Sequence, residues 1–180
     1  YITPYNIFEG SYRLFQTVEY WPEGTTFVSV VDPGVGSKRK SVVALTNKNQ
    51  YIVTPDNGTL SFIKKHVGIK AVRESSEVAN RRANTEHSYT FHGRDVYAYT
   101  GAKLASGHIS FEEVGPELSV EHIVEIPTVE TEVGSDFVKG AIDILDVSFG
   151  SLWTSVTRDE FYTLLPEFGD SFEVTIYNND

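Results

Sequence analysis

The first two-thirds of the chain alternate between helical and strand-like hydrophobic patterns. Apolar residues between Ile7 and Trp21 recur at the spacing of an amphipathic helix. Asn6 as N-cap, with Glu9 three residues later, predicts the start of this helix, and Pro22 predicts its end. The same patterns predict strands at 25–31, 41–46, 51–53 and 70–73, and helices at 60–67 and 94–105. Residues 75–90 are polar and predict a long loop. This alternation favours an α/β layered domain over residues 1–126.

The pattern changes after Ile123. Short runs rich in Val, Ile, Phe and Thr alternate with turn residues, at 123–126, 137–147, 152–156 and 172–177. Thr157 and Glu160 form a capping-box pattern that predicts a helix over 157–165. We therefore expect a mostly β domain over residues 127–180, although 54 residues are few for a closed barrel.

Charge supports the division near residue 126. The chain has 180 residues and a formal net charge of −10. Residues 1–121 carry 13 basic and 13 acidic side chains, whereas residues 122–180 carry 2 basic and 12 acidic ones. This excess of negative charge disfavours nucleic acid and anionic membranes as partners. The chain has no cysteine, which excludes disulfides, cysteine nucleophiles and thiolate metal sites.

Two segments of the first domain are candidates for chemistry. Asp32 stands at the end of a predicted strand, before the glycine-rich turn 33–36, and ligands bind at such strand ends in layered α/β folds. An ordinary turn explains the same residues. His92 stands at the mouth of a predicted helix, where it can face a ligand or simply cap the helix. His87 and His92 lack the spacing of a metal site, and no Gly-x-Ser-x-Gly elbow occurs.

A third candidate lies in the second domain, at residues 145–154. Phe149 and Trp153 flank a glycine close to Asp146, a set that can stack on a flat heterocycle and attract an amine. Core packing of the two aromatic residues is the alternative.

Four motifs occur together in a fixed order: VVDPGVGS at 30–37, TPDNGTL at 54–60, TFHGRD at 90–95 and D-x-x-FG-x-x-WT at 146–154. In this combination the chain resembles the S-adenosylmethionine (SAM) hydroxide adenosyltransferase family, relatives of the fluorinases and chlorinases. The resemblance implies an α/β N-terminal domain, a barrel-like β C-terminal domain, and a homotrimer with sites between subunits.

The resemblance also implies an activity, the hydrolysis of SAM to adenosine and L-methionine, with SAM as the substrate and no cofactor or metal. The family's catalytic set maps onto Asp32, Arg39 and His92. Halogenating relatives replace that aspartate and histidine, so their presence favours water as the nucleophile. Which of Asp32 and His92 acts as the base stays open.

The same resemblance places six residues around the substrate. They are Tyr5, Phe91, Asp146, Phe149, Ser151 and Trp153. The family usually has Asn in place of Ser151, and its opening strand and C-terminal carboxylate-binding stretch have no counterpart here, so we expect the natural protein to extend at both ends. A non-catalytic SAM- or adenosine-binding protein is the alternative function, and a halogenase the weaker one. An intracellular substrate and the lack of a targeting pattern imply a cytoplasmic location.

Overall fold

The computed structural model describes residues 2–177, and the chain divides into two compact units, Tyr1–Ile126 and Pro127–Asp180. The helices and strands of the first unit are α1 (Ile7–Val18), β1 (Thr26–Val28), β2 (Ser41–Thr46), β3 (Tyr51–Pro55), α2 (Ser61–His66), β4 (Ile69–Glu74), a π-helix (Gly93–Ala98), α3 (Tyr99–Ala105) and β5 (Glu117–Leu118), with 3₁₀ turns at Glu112–Val114 and Val120–His122. None of the helices within 2–177 has the length and apolar character that a bilayer crossing requires.

The strands of the first unit form one mixed sheet in the order β1-β3-β2-β4-β5. Strand β1 pairs with β3 in parallel, and the other pairs are antiparallel. Successive residues of β2 point to opposite faces, so Val42 and Ala44 join the core beneath α1 and α2, and Val43 joins the core with Tyr97. Helices thus cover both faces, and the predicted α/β layering is confirmed for this unit.

Helix α1 begins as its capping pattern predicts, because the side chain of Asn6 accepts from the backbone N–H of Glu9 at 3.0 Å. It ends at Val18, three residues before the predicted end. The buried side chain of Gln50 donates to the carbonyls of Val18 (2.9 Å) and Trp21 (2.7 Å), so a side chain satisfies the backbone there.

Side chains also bond to the backbone at two other places. The predicted strand 25–31 is shorter in the structure, and beyond its end Asn57 Nδ2 donates to the carbonyl of Val31 at 2.8 Å. The predicted strand 123–126 does not form. There Asp56 accepts from the N–H of Val124 at 3.0 Å, and Ser61 accepts from that of Ile126 at 2.9 Å. The prediction was wrong because these backbone groups find side-chain partners.

The predicted helix 94–105 is two segments, the π-helix followed by α3. A π-helix accommodates more residues per turn than an α-helix and is frequent at functional sites. Helix α3 packs closely on β1, since a Cβ on Gly101 would lie 2.5 Å from Cγ2 of Val28.

The second unit consists of two small antiparallel sheets and one short helix. Its elements are β6 (Glu132–Val133), β7 (Val138–Lys139), β8 (Ile142–Asp146), β9 (Ser151–Thr154) and α4 (Arg158–Tyr162). Strand β6 pairs with β7 and β8 with β9. The capping box of Thr157 and Glu160 is confirmed, but α4 ends before the predicted 165.

The expectation of a barrel-like second domain is wrong for residues 127–177. Its strands join only in pairs, so the described part contains no closed barrel. The predicted strand 172–177 does not form either, since these residues have no strand partner within the described chain. Phe172 instead packs its ring against Phe161, with ring centres 5.1 Å apart.

Candidate active site

Arg39 and Asp32 come from one loop that connects β1 to β2. A tight turn brings them together, with the N–H of Val35 donating to the carbonyl of Asp32 and Gly36 at a φ of +78°. The guanidinium then engages the carboxylate with two nitrogens: Nε donates to Oδ1 at 2.9 Å, and Nη2 donates to Oδ2 at 2.6 Å. Such a forked contact fixes both orientation and charge.

His92 contacts the same guanidinium, although it lies 53 residues later in the chain. It lies just before the π-helix, and its Nδ1 is 3.1 Å from Nη2 of Arg39. The structure therefore brings the three predicted catalytic residues together, since Arg39 contacts both of the others. All three side chains are largely buried, with exposures of 6% for Asp32, 9% for Arg39 and 2% for His92.

The contact with Arg39 assigns a protonation state to His92. A guanidinium can only donate, so Nδ1 of the imidazole must accept and the ring proton must be on Nε2. Burial lowers the pKa of His92, and the partly opposing charge of Glu77 does not reverse this, which keeps the ring neutral. Nε2 is buried and has no hydrogen-bond partner within the described residues.

Three further residues complete the network and have no motif that marks them in the sequence. Arg39 Nη1 donates to Glu77 Oε1 at 2.8 Å and to Ser41 Oγ at 3.1 Å. Ser41 donates its hydroxyl proton to Glu77 at 2.6 Å, so Tyr97 OH must donate to Ser41 across 2.8 Å. Glu77 lies 38 residues from Arg39 in a segment that only its polarity distinguishes, so local patterns could not find it.

The charges of this network reinforce one another. Burial acts to lower the pKa of Arg39, but its hydrogen bonds to Asp32 and Glu77 outweigh burial and raise it. Burial raises the pKa of Glu77, yet bonds from Ser41 and Arg39 outweigh it and lower that pKa. Burial also raises the pKa of Tyr97, which stays a neutral donor. The site thus holds a cation between two carboxylates, beside the neutral side chains of Ser41, His92 and Tyr97.

Tyr5 and Phe91 are exposed side chains of the first unit. Tyr5 has a φ of 66° and is 77% exposed, while Phe91 directly precedes His92 and is 56% exposed. The guanidinium of Arg94 lies over the Phe91 ring, 5.0 Å from its centre. Neither aromatic residue belongs to the hydrogen-bonded network around Arg39, and each offers a ring to solvent.

The other predicted binding residues lie on the β8–β9 hairpin of the second unit. Asp146 pairs with Ser151 in register, and its carboxylate accepts from the N–H groups of Ser148 (3.1 Å) and Phe149 (3.3 Å). Phe149 is 86% exposed at the turn, which excludes core packing as its role in this chain. Trp153 is half-buried in the same hairpin.

The turn at 54–60 has a structural role. Asp56 accepts from Val124 and Asn57 donates to Val31, as described above, and Asn57 Oδ1 also accepts from Thr59 Oγ1 at 2.8 Å. No group of three or more potential metal-ligating side chains occurs within residues 2–177.

The fold and the network define a layered α/β protein with a buried carboxylate–guanidinium–imidazole cluster. The family model of the SAM hydroxide adenosyltransferase N-terminal domain matches residues 1–115. The chain therefore belongs to the SAM hydroxide adenosyltransferase family, which confirms the resemblance read from the four motifs.

Relatives cover most of this chain. It is 36% identical over 159 residues to an (R)-S-adenosyl-L-methionine hydrolase of Methanocaldococcus jannaschii, an alignment that covers 88% of this chain and 52% of the relative. A fluorinase of Actinopolyspora mzabensis is 25% identical, covering 96% of this chain and 64% of the fluorinase. The crystal structure of an uncharacterised conserved protein from Thermotoga maritima matches with a TM-score of 0.85 and 34% identity, covering 94% of this chain and 62% of that one. The chain thus spans about half to two-thirds of the length of these relatives.

Proposed function

We propose that this protein hydrolyses SAM to adenosine and L-methionine by in-line attack of water on the ribose C5′ atom. The observation that carries the proposal is the buried contact of one guanidinium, that of Arg39, with both Asp32 and His92. Relatives named SAM hydrolases support it.

The most difficult part of this reaction is the activation of water as the nucleophile. The C5′–S bond breaks with its electron pair moving to sulfur, which leaves as a neutral thioether and needs no acid. Water must lose a proton as the C5′–O bond forms, and free water, with a pKa of about 15.7, is a weak nucleophile. A nearby cation stabilises the developing hydroxide, which is the role we assign to Arg39.

We assign the base to Asp32 rather than His92. Nδ1 of His92 already accepts from Arg39 and Nε2 carries the ring proton, so neither nitrogen can take another proton without breaking this arrangement. Oδ2 of Asp32 accepts from both Nε and Nη2 of Arg39, whereas Oδ1 accepts only from Nε and retains a second lone pair for the proton of water. His92 then orients the water or its product through the Nε2–H donor. The proton moves from water to Asp32 and on to solvent.

The substrate contacts are part of the same proposal. We assign the α/β N-terminal domain to residues 1–126 and the β-rich C-terminal domain to residues 127–180. We propose that a homotrimer pairs the catalytic cluster of one subunit with the β8–β9 hairpin of a neighbour, and that the enzyme is cytoplasmic. The proposed binding residues are Tyr5, Phe91, Asp146, Phe149, Ser151 and Trp153.

The test is incubation of the protein with SAM in ¹⁸O-labelled water, with products analysed by mass spectrometry. We expect methionine and adenosine labelled at the 5′ oxygen. Saturable SAM binding without methionine release would show a binding protein instead. Halide-dependent formation of a 5′-halogenated nucleoside would show a halogenase.

A further inference from the structure

Glu77 lies beside the catalytic cluster on a firmly held segment. Just before it, the N–H of Ser75 donates to the carbonyl of Ser41 at 2.7 Å. Just after it, Asn80 Nδ2 donates to the carbonyl of Val114 at 2.9 Å, and Lys103 donates to Asn80 Oδ1 at 2.8 Å. The backbone around Glu77 is therefore anchored on both sides, and its carboxylate is presented in a defined position.

The guanidinium of Arg39 is held at both edges by carboxylates. Nε and Nη2 face Asp32, and Nη1 faces Glu77. Nη2 remains aimed at His92 only while the plane of the guanidinium keeps this orientation. Loss of the outer contact would leave the Nη1 edge with only Ser41 Oγ as its partner, and the Ser41 hydroxyl would itself lose its acceptor.

We infer that Glu77 is a positioning residue of this site, which holds the outer Nη1 edge of the Arg39 guanidinium and acts by its negative charge on His92. This inference rests on the proposed function for its kinetic consequence. A guanidinium held less firmly at its Nη1 edge would present its other nitrogens to the reacting groups less precisely, and such misplacement lowers kcat.

Charged and titratable groups surround both Glu77 and His92. Arg39, Ser41 and His92 face Glu77, and its Oε1 lies 3.5 Å from Nδ1 of His92. Glu77, Arg39, Arg81 and Asp32 act electrostatically on His92. Among them Glu77 and Asp32 favour a charged imidazole, and the two arginines oppose it. Removal of the Glu77 charge therefore disfavours protonation of His92.

The chain offers a matched control. Glu74 and Glu77 both line a cavity of about 440 Å³ beside Arg39. Glu74 pairs with Lys40 at 2.8 Å, with both side chains well exposed, and has no hydrogen bond with Arg39. Glu74→Gln thus removes the same charge from the same cavity without touching the catalytic cluster.

The kinetic test compares wild type, Glu77→Gln, Glu77→Asp and Glu74→Gln as pH profiles of kcat and KM. In Glu77→Gln we expect kcat to fall about 10- to 100-fold, KM to stay within about threefold, and the acidic limb of kcat to move to lower pH. Glu77→Asp keeps the charge and should restore the limb, although its shorter side chain lowers kcat. Glu74→Gln should match the wild type. Superimposable wild-type and Glu77→Gln profiles would overturn the inference.

A second measurement does not depend on the reaction. The His92 imidazole is titrated by NMR in the full chain, its signal identified by its loss in His92→Gln. The titration midpoint should move to lower pH in Glu77→Gln and return toward the wild-type value in Glu77→Asp. An unchanged midpoint would overturn the role of Glu77 even if SAM is hydrolysed. Absence of methionine release by the wild type would refute the proposed function, whereas a shifted midpoint would still support the electrostatic role.

Discussion

Nη2 of Arg39 points at Nδ1 of His92 across 3.1 Å. Protonation of His92 would set two donors against each other at this contact. The neutral ring is therefore the form that the folded protein holds, and folding is coupled to deprotonation of this histidine.

The first prediction concerns stability and pH. Burial lowers the pKa of His92 in the folded state below its ordinary value of 6.5, so the unfolded chain binds the proton more readily. The His92 contribution is fully present above pH 6.5 and is lost as the pH falls from there through the folded pKa. Urea unfolding between pH 7.5 and 5 should show a steeper fall in the free energy of unfolding for wild type than for His92→Gln. Parallel curves would contradict a buried neutral ring.

The second prediction concerns the base. Asp32→Asn keeps the shape of the side chain but cannot accept a proton from water, so kcat for SAM should fall about 10²- to 10⁴-fold. KM should change little, because the lost interaction belongs to the transition state. Asp136→Asn, at an exposed carboxylate of the second unit, serves as the control. A kcat within twofold of wild type would remove Asp32 from the mechanism.

The third prediction separates binding from folding at Phe149. Its ring is exposed, so Phe149→Ala should change the free energy of unfolding by no more than about 0.5 kcal/mol. Loss of a ring stacked on adenine costs about 1–3 kcal/mol, so KM for SAM should rise roughly 5- to 150-fold. Val147→Ala, at an equally exposed residue before the same turn, should leave both quantities unchanged. An unaffected KM would exclude Phe149 from the substrate site.

The fourth prediction concerns the packing of α3 against the sheet. A side chain at Gly101 would collide with Val28, so Gly101→Ala should destabilise the protein by about 1–3 kcal/mol. Thermal melting should show part of this loss recovered in the double variant Gly101→Ala with Val28→Ala. If the second substitution recovers nothing, the close contact between helix and strand is not the cause.

Local patterns in the sequence predicted local structure well. The caps at Asn6 and Thr157 are correct because each rests on a partner three residues away, Glu9 and Glu160. The sheet of the first unit follows from runs of buried residues, such as 41–46, whose strand bounds match the prediction. The family could be recognised because its motifs are short and occur in a fixed order.

Predictions failed where distant residues decide the outcome. The segment 123–126 resembles a strand, but Asp56 and Ser61, more than 60 residues earlier, take its backbone N–H groups. Glu77 meets Arg39 only because the fold brings β2 and the end of β4 together. Neither the side-chain bonds to segment 123–126 nor the Glu77–Arg39 contact produces a hydrophobic pattern that could be recognised in the sequence.

The π-helix at Gly93–Ala98 separates two residues that each make a specific contact elsewhere in the first unit. His92 on one side must meet Arg39, and Gly101 on the other must meet Val28. In an α-helix each residue turns the chain by about 100°, so the number of residues between two such points fixes their relative phase. The π-helical turn holds more residues than an α-helical turn and thereby sets the relative directions of both residues. Deletion of one residue from this segment would rotate either His92 away from Arg39 or Gly101 away from Val28.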